Sequence, residues 1–555
     1  MGRRRDGLNV STLSRRDLLA AFLGAPLAAA ACRGKKRLPE GEMAFSSDEL
    51  GHRLRDERPP VISKDKWERA GIVIVGAGIA GLSAARHLLA SGYEDFVVLE
   101  LEAAPGGTAR SGANGTSAYP WGAHYITAPM KENTAMLGLL RELDLVEGMD
   151  AAGEPLFREE VLCREPQERV FADGAWHEGL YLHEGESEDE KQQFLRFREQ
   201  IERFAALRDG KGRRAFAVPT AQASDDADIT ALDKTSMTAW LAKERFTSER
   251  LRWLVDYACR DDFGARASQT SAWAGIHYYA SRLLGPGREP QAVLTWPAGN
   301  GWLVGKLHDK VRGKVRLGLA VADVVPSSDA ETGALGVDVT AIGRAPTAIG
   351  IRARRVIFAA PQFVARAVVR PYRDAPPPHL SAFEYGAWMV ANITLSSRPK
   401  AHARGEHAMS WDNVLRDSPS LGYVVATHQT GRDHGATVLT YYLPLCDDDP
   451  RAARRRLYAA GRDEWADVAL ADLETAHPDI RALATRVDVV RWGHAIVRPS
   501  PGFVFGGARA AAAKPVQGIH FAHTDLSGVA LFEEAFHHGI RAATEALTAI
   551  RGTQP

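Results

Sequence analysis

The sequence predicts an α/β protein in which a parallel-sheet domain is assembled from separated parts of the chain, beside a second, mixed α+β domain. Three observations lead to this prediction. A strand–helix–strand pattern with a glycine motif lies at residues 72–100. Residues 131–283 have mostly helical periodicity, as in "EDEKQQFLRFREQIERFAAL". Strand patterns then return in "VRLGLAVADVVP" and "RARRVIFAAP", so insertions divide a Rossmann-like nucleotide-binding domain.

The individual elements follow from the spacing of apolar residues. The run from Ile72 to Val75 is β-branched and continuous, typical of a buried parallel strand. The next apolar positions recur at helical spacing: Ile79, Leu82, Ala85 and Leu89. "DFVVLE" is the second strand, which completes a right-handed βαβ unit. In the second domain "AWMVANITL" and "TVLTYYLPL" predict strands, Asp449 before Pro450 predicts a helix start, and "FEEAFHHGIRAATEALTAI" predicts a closing helix.

Composition describes a large, electrically neutral chain. It has 555 residues and a mass of 60.3 kDa, more than one simple core accommodates, which indicates two domains. Lys+Arg and Asp+Glu both number 69, so the chain lacks the basic excess of nucleic-acid-binding proteins, and no nucleic-acid partner is expected. The cysteines have no CxxC spacing, so no metal site and no disulfide framework are predicted.

The first 32 residues are predicted to be a signal peptide. A basic segment precedes an apolar run from Leu18 to Ala31, which is shorter than the roughly 20 residues of a membrane-spanning helix. "SRRDLL", which begins at Ser14, resembles the twin-arginine motif. The resemblance implies the twin-arginine export machinery as a partner and an exported, periplasmic protein that folds with its cofactor before export. A general secretory signal is the alternative.

The junction after this leader has three open interpretations. "AAAC" resembles a weak lipobox, in which Cys32 is lipidated and attaches the protein to a membrane. Cleavage after Ala31 by ordinary signal peptidase is the second, and an uncleaved anchor is the third. Residues 33–67 are interpreted as a tether that ends near Pro59 and Pro60.

A glycine motif, Gly76-x-Gly78-x-x-Gly81, joins the first strand to its helix. Gly76 permits the tight turn, Gly78 lets a pyrophosphate approach the backbone, and Gly81 lets the helix pack against the strand. Free N–H groups at the helix N-terminus favour the phosphates. Glu100 ends the second strand, where a carboxylate accepts hydrogen bonds from ribose hydroxyls. This disfavours NADP and leaves NAD and FAD open.

The stretches after Glu100 favour FAD. "LELEAAPGGTAR" contains Gly106 and Gly107, and "YPWGAHYITAP" follows. This order resembles the flavoprotein superfamily of monoamine oxidase, polyamine oxidase, phytoene desaturase and protoporphyrinogen oxidase. The resemblance implies that Glu100 binds the adenosine ribose and that Gly106 and Gly107 run beside the flavin. It implies the same for three consecutive residues: Gly122, Ala123 and His124. No Cys or His lies in a recognisable attachment motif, so FAD is expected to bind non-covalently.

Further segments resemble the same superfamily. "VRLGLAVADVVP" resembles the strand whose valine, here Val321, contacts adenine through its backbone. "GIHFAHTDLSGVALFEEAFHHGIRAA" resembles the C-terminal segment, in which Glu533 and Ala535 align with a closing helix whose N-terminus points at the flavin pyrimidine ring. The family's arginine after Gly-Gly is replaced by threonine, with Arg110 two residues on. In "FAHT" the family's Gly-Glu is missing, and Asp525 is expected to take the acidic role.

Two histidines are the candidates for proton transfer. His538 replaces a small residue in the closing helix, near the expected flavin, and His428 follows the apolar strand of "GYVVATHQTG". Each also has a structural interpretation, His538 as a packing or capping residue and His428 as a strand end. The lysine that amine oxidases often carry in the strand after the "AAP" region is absent from "EYGAWMVANITL".

The predicted function is that of an exported FAD-dependent oxidoreductase, which transfers a hydride from a small organic substrate to flavin, with O2 or a quinone as electron acceptor. Amine C–N oxidation and C–C desaturation both stay open: the missing lysine weakens the first, and export weakens porphyrin and carotenoid substrates. A flavin-bearing electron-transfer or binding protein without its own substrate turnover is the alternative of a different class.

The predicted domains alternate along the chain. The FAD-binding domain comprises residues 68–130, 284–372 and 490–550, and the substrate-binding domain comprises residues 131–283 and 373–489.

Overall fold

The computed structural model describes residues 38–44, 48–328, 335–343, 347–400, 408–446 and 449–552. The predicted signal peptide and Cys32 lie outside these residues. All elements given below belong to one unit, which begins at Glu40. Within the described residues, no helix is long and apolar enough to cross a membrane.

The strands, in chain order, are β1 Met43–Ala44, β2 Trp67–Val75, β3 Phe96–Leu99, β4 Ser111–Ala113, β5 Ala118–Pro120, β6 Tyr125–Thr127, β7 Val146–Met149, β8 Pro155–Phe157, β9 Glu168–Ala172, β10 Ala175–Glu178, β11 Val293–Thr295, β12 Val315–Arg316, β13 Leu319–Ser328, β14 Leu335–Gly343, β15 Ala348–Phe358, β16 Tyr385–Leu395, β17 Asp412–Leu415, β18 Gly422–Val425, β19 Thr437–Pro444, β20 Ala484–Val497 and β21 Ile519–Phe521.

The helices, in chain order, are α1 Asp48–Asp56, α2 Ile79–Ala90, α3 Thr134–Glu142, α4 Glu188–Ala206, α5 Ala227–Thr230, α6 Met237–Lys243, α7 Glu249–Phe263, α8 Ala272–Ala280, α9 Gly301–Val311, α10 Gln362–Val368, α11 Arg370–Asp374, α12 Pro450–Ala459, α13 Arg462–Leu473, α14 Ile480–Leu483, α15 Ala508–Ala512 and α16 Phe532–Arg551.

The first main sheet contains the predicted βαβ unit. Its strand order is β12-β3-β2-β15-β14-β13, and β21 pairs beside β15. β2 pairs in parallel with β3, with Ile72 opposite Phe96, and in parallel with β15. Helix α2 crosses between β2 and β3, and α16 packs against α2. The carboxyl ends of β2, β3 and β15 therefore meet at one edge, the ligand-binding edge of α/β sheets.

The second main sheet has the strand order β1-β20-β16-β19-β18-β17-β9-β10. β16 lies at its centre and pairs antiparallel with both β19 and β20. Its side chains are almost all buried, because helices α12 and α13 pack against this part of the sheet. The helices of the central insertion form a separate apolar core around Phe197, Trp240, Phe246 and Trp273.

The α/β fold class is confirmed, with nucleotide-domain strands drawn from separated parts of the chain. The segment 131–283, expected to be mostly helical, also contributes β9 and β10 to the second sheet. The predicted boundary at residue 490 falls inside β20, which continues to Val497 and pairs with β16 over this stretch.

The predicted tether over residues 33–67 is wrong for residues 40–44 and 48–56. Residues Met43–Ala44 pair in parallel with β20, and Asp48–Asp56 forms α1. Leu50 is only 5% exposed and packs with Ala320, Ala322 and Ile342. Burial of these apolar side chains stabilises a segment that is interpreted from the sequence as a tether.

Candidate active site

A cavity of about 810 Å³ is lined by residues of both main sheets and of the helical insertion. One region, called here the nucleotide end, includes Gly76, Gly78, Glu100 and Val321. A second region, called here the acidic end, is defined by four charged residues that also line the cavity: Asp261, Asp262, Arg282 and Glu533. The cavity is large enough for a cofactor together with a small substrate.

The three glycines of the motif have three different structural reasons. Gly76 has φ +96°, a left-handed conformation that favours glycine. A Cβ on Gly81 would lie 1.9 Å from the Gly76 carbonyl oxygen, so helix packing requires glycine there. Gly78 has ordinary extended backbone, and a Cβ on it would meet no described atom within 4 Å. Protein packing therefore leaves the space at Gly78 to a ligand at the N-terminus of α2.

Glu100 lies at the end of β3, beside the glycine motif as predicted. Its carboxylate accepts hydrogen bonds from the Ala77 N–H at 2.6 Å and the Glu102 N–H at 2.9 Å. Burial raises the pKa of Glu100, although these backbone hydrogen bonds oppose the shift. The carboxylate is thus fixed in place with lone pairs left for ribose hydroxyls.

The Gly-Gly pair forms the turn that follows this strand. Gly106 has φ +120° and Gly107 has φ +57°, and the Gly106 N–H donates to the Ala77 carbonyl at 2.8 Å. Arg110, which follows, is buried, with its guanidinium 3.6 Å from the Glu102 carboxylate. Gly106, Gly107 and Arg110 all line the cavity.

The predicted "GAH" segment also lines the cavity at all three positions: Gly122, Ala123 and His124. A Cβ on Gly122 would lie 2.3 Å from the Thr108 carbonyl oxygen, so glycine is required for close packing. The His124 ring lies 5.2 Å from Trp411 and 5.0 Å from Tyr442, between centroids. Burial lowers the pKa of His124 to about 4, which keeps its imidazole neutral at physiological pH.

Asp525 is the residue predicted to take the acidic role beside the cofactor. Asp525 is fully buried and does not line the cavity. Its carboxylate accepts from the Gln362 N–H at 2.7 Å and the Tyr385 hydroxyl at 2.6 Å, and lies 2.9 Å from His523 Nδ1. The two preceding residues, His523 and Thr524, line the cavity. The Asp525 carboxylate instead joins its own segment to Gln362 and Tyr385.

The closing helix α16 begins at the cavity. Glu533 and Ala535 line it, as the alignment implied. Burial raises the pKa of Glu533 to about 7, with a further contribution from the neighbouring Glu534. The Glu534 carboxylate points elsewhere, accepting hydrogen bonds from Ser527 and from the Thr220 N–H.

Neither histidine candidate for proton transfer lines the cavity. His538 is buried and its Nε2 lies 2.8 Å from the Ser527 hydroxyl, so it belongs to the packing under α16. His428 is buried, with its Nε2 2.8 Å from the Arg164 carbonyl oxygen. Both side chains therefore have structural contacts, and a proton-transfer role for either stays a prediction.

The acidic end was not predicted from the sequence, apart from Glu533. Asp261 and Asp262 lie in the last turn of α7, and Arg282 follows α8. The Arg282 guanidinium donates to both Asp262 carboxylate oxygens at 3.0 Å and lies 4.0 Å from the Tyr278 ring centroid. Burial raises the pKa of Asp261 to about 7, and the adjacent Asp262 adds to this.

One local signal marks these carboxylates. A helix C-terminus carries partial negative charge, so two adjacent aspartates in its last turn are unfavourable for the helix alone. Residues that break a local rule without structural gain are concentrated at functional sites. The sequence "CRDDFG" carries that signal, but it does not indicate which cavity the aspartates reach.

Comparison with known proteins identifies the family. Residues 79–547 match the family described as flavin containing amine oxidoreductase. The chain belongs to this family. The protein is therefore a flavin-dependent oxidoreductase, and the alternative of a flavin protein without substrate turnover is set aside. No curated protein matches the chain.

Solved structures share the fold of this chain. Putrescine oxidase bound to putrescine has a TM-score of 0.61 at 17% identity, over 86% of this chain and 99% of that one. Cyclohexylamine oxidase from Brevibacterium oxydans has a TM-score of 0.59 at 18% identity, over 87% and 99%. A fatty acid isomerase from P. acnes that produces CLA has a TM-score of 0.58 at 15% identity, over 87% and 99%.

The cavity of this protein fits a flavin. The open space at Gly78 suits a phosphate, and Glu100 at the end of β3 suits a ribose. Two buried polar atoms of cavity-lining residues, Asn300 Oδ1 and Trp388 Nε1, have no hydrogen-bond partner among the described residues. Such atoms are normally satisfied, so a bound group with complementary polar atoms is expected there.

Proposed function

We propose that the protein is an FAD-dependent oxidoreductase that oxidises a small cationic amine bound at the acidic end of the cavity. The observation that carries this proposal is the charge of that end. Three carboxyl groups, those of Asp261, Asp262 and Glu533, face one guanidinium. A protonated amine supplies the positive charge that this arrangement lacks.

Aromatic walls favour the same class of substrate. The walls near the acidic end include Tyr125, Trp388 and Tyr442, and a cation over an aromatic face is stabilised by about 0.5–2 kcal/mol. The neutral His124 beside them adds no repulsion toward a cation. A hydrocarbon substrate would leave the carboxyl groups without a charge partner, so amine oxidation is favoured over C–C desaturation.

The cofactor is proposed to be FAD, held without a covalent bond. Gly76, Gly78 and Glu100 would hold its pyrophosphate and ribose, and when bound it supplies the acceptor for the hydride. The described cysteines are buried away from the cavity lining: Cys163, Cys259 and Cys446. This supports non-covalent binding.

The chain's own residues bind, orient and shield the substrate. Asn300 and Trp388 line the cavity, and Asn300 Oδ1 and Trp388 Nε1 have no hydrogen-bond partner among the described residues. The Tyr257 hydroxyl donates to the Asp412 carboxylate at 3.4 Å. Burial raises the pKa of Asp412, and the negative charge of Asp261 raises it further. Among the described lining residues there is no lysine, so no protein amine competes with the substrate for the carboxylates.

We propose the domain division given by the sequence, with the end of the second substrate segment moved to Val497.

O2 or a quinone is the proposed electron acceptor. Export through the twin-arginine machinery to the periplasm, with lipidation of Cys32 as one possible fate, rests on the sequence of the leader alone.

The proposed activity is tested by anaerobic titration of the purified holoprotein with amines, unsaturated fatty acids and porphyrinogens. Loss of the flavin's visible absorbance with an amine, and with no member of the other two groups, is expected. Bleaching by a fatty acid or a porphyrinogen and by no amine would refute amine oxidation. Acid release and mass spectrometry of the cofactor, expected to give FAD, tests cofactor identity separately.

A further inference from the structure

The segment Glu40–Asp56 is joined to the second main sheet at its start. β1 lies parallel to β20, and the Val487 N–H donates to the Glu40 carbonyl at 2.8 Å. The Val489 N–H donates to the Glu42 carbonyl at 3.0 Å, and the Glu42 N–H donates to the Asp488 carboxylate at 2.9 Å. These contacts fix the chain beside the domain that supplies the substrate sheet.

Helix α1, later in the same segment, packs on the other main sheet. Leu50 and Leu54 contact the apolar side chains of β13 and β14, in a cluster that Leu101 also joins. The helix also packs against α10. The segment therefore bridges the two main sheets and ends over β13 and β14, next to Val321 at the nucleotide end of the cavity.

Four residues of α1 line the cavity: Gly51, His52, Leu54 and Arg55. Leu101, Leu319, Ala320 and Val321 line it from the facing strands and loop. Val321 is the position that the superfamily resemblance assigns to adenine. The Arg55 side chain is paired with Asp56 at 2.7 Å, so the contribution of α1 to this wall is mainly apolar surface and backbone.

Gly51 indicates what α1 faces. Glycine is among the least favourable residues inside a helix, so its presence needs a reason. A Cβ on Gly51 would meet no atom within 4 Å among the described residues, so protein packing does not require glycine. Close approach of a ligand is the usual remaining reason. Gly78 of the glycine motif likewise lines the cavity and has free space beside its Cα.

We propose that helix α1 is part of the cofactor-binding site and forms a wall against the adenosine half of the dinucleotide. This rests on the proposed FAD cofactor. Gly51 lets the helix approach the adenosine, and Leu54 contributes apolar contact. Retention of the cofactor then depends on a segment that lies N-terminal to the βαβ unit and outside the matched family region, which begins at residue 79.

The wall is tested with Gly51→Trp, which fills the space next to the adenosine site. Apoprotein is titrated with FAD and, separately, with ADP, which carries the adenosine half alone. Both dissociation constants are expected to rise at least tenfold in Gly51→Trp. The matched control is Gly138→Trp in α3, a second helical glycine with free space, which is exposed and does not line the cavity. Unchanged constants in Gly51→Trp, or an equal rise in Gly138→Trp, would overturn the proposal.

Weaker binding by Gly51→Trp could also result from unfolding of α1. Hydrogen exchange on the wild-type chain tests the contact without any substitution. Amides of residues 48–56 are expected to be protected in the apoprotein by FAD and also by ADP. Protection by neither ligand would overturn the proposal. If the wild-type apoprotein binds ADP with protection of α1 but does not bind FAD, the proposed flavin function fails while the adenosine wall stands.

Discussion

Single residues explain why the glycine motif binds a cofactor. Gly76 is required by its backbone conformation and Gly81 by helix packing, whereas Gly78 is required by neither. The protein's own stability therefore depends on two of the three glycines. The third lines the cavity with free space beside it, which separates a proposed binding residue from folding residues within one short motif.

Gly78→Val is expected to produce a folded apoprotein that purifies without flavin. The free energy of unfolding of the apoprotein should change by less than about 1 kcal/mol, because no described atom lies near the new side chain. FAD affinity should fall by about 100-fold or more, equivalent to about 2.7 kcal/mol. The ratio of flavin to protein absorbance and chemical denaturation measure the two effects. A variant that purifies fully yellow would contradict this account, and Gly305→Val in α9 is the matched control.

Asp261 is expected to make substrate binding depend on pH. Its pKa is raised to about 7, so below that pH the group is largely neutral and above it the group is negative. Attraction for a protonated amine should therefore be gained as the pH rises through about 7, by up to about tenfold per pH unit below the pKa. The affinity for the amine, obtained from dissociation constants measured against pH, should show this rise in the wild type. Asp261→Asn should lose most of the rise. A rise of equal size in the variant would show that another group is responsible.

At the scale of elements, Asp525 joins three of them next to the cavity. It follows β21, accepts from the first N–H of α10 and from the hydroxyl of Tyr385 at the start of β16. His523, which lines the cavity, is held by the same carboxylate. Burial acts to raise the pKa of Asp525, but His523, Tyr385 and the Gln362 N–H outweigh burial, and the pKa is lowered.

Asp525→Ala is expected to destabilise the protein by about 3 kcal/mol, because it leaves buried donors without a partner. Since the folded-state pKa lies below the ordinary value, this stabilisation is present above the ordinary pKa and is lost as the pH falls through the folded-state pKa. Thermal unfolding of both proteins at neutral and acidic pH measures this. The difference between them should shrink in acid, and a difference that stays constant with pH would contradict the assignment.

Elements with a strong local pattern could be predicted from the sequence, and elements stabilised by distant contacts could not. The run Ile72–Val75 and the helix from Ile79 are specified by local periodicity. Helix α1 is short and polar, and it is stabilised where Leu50 and Leu54 meet β13 and β14, which follow more than 250 residues later. The start of β9 likewise depends on pairing with β17, which no local pattern near residue 168 reveals.

At the scale of the whole molecule, the nucleotide end was predictable and the acidic end was not. Gly76, Gly78 and Glu100 lie close together in sequence at fixed spacing, so a motif describes them. Asp261, Arg282 and Glu533 come from three separated helical regions and meet only through tertiary folding. For Asp525 and His538, alignment to a motif gives the position along the chain but not the direction of the side chain, and neither residue lines the cavity.

Export is expected to require both arginines of the leader. The variant Arg15→Lys with Arg16→Lys should accumulate in the cytoplasm as a folded, flavin-loaded protein, because the twin-arginine machinery is proposed to recognise this pair. Cell fractionation with antibody detection measures the distribution. Normal arrival of the variant in the periplasm would favour the general secretory alternative, and a variant altered at Arg3 and Arg4 controls for loss of positive charge alone.

The central claim is that the acidic end selects a cationic substrate for oxidation by flavin. The most direct measurement is an anaerobic reduction of the holoprotein by the best amine found in the substrate panel, compared with the alcohol of the same carbon skeleton. The account predicts that the amine bleaches the flavin, that the alcohol does not, and that Asp261→Asn lowers the affinity for the amine while the flavin stays bound. Equal bleaching by the alcohol, or undiminished amine affinity in Asp261→Asn, would contradict it.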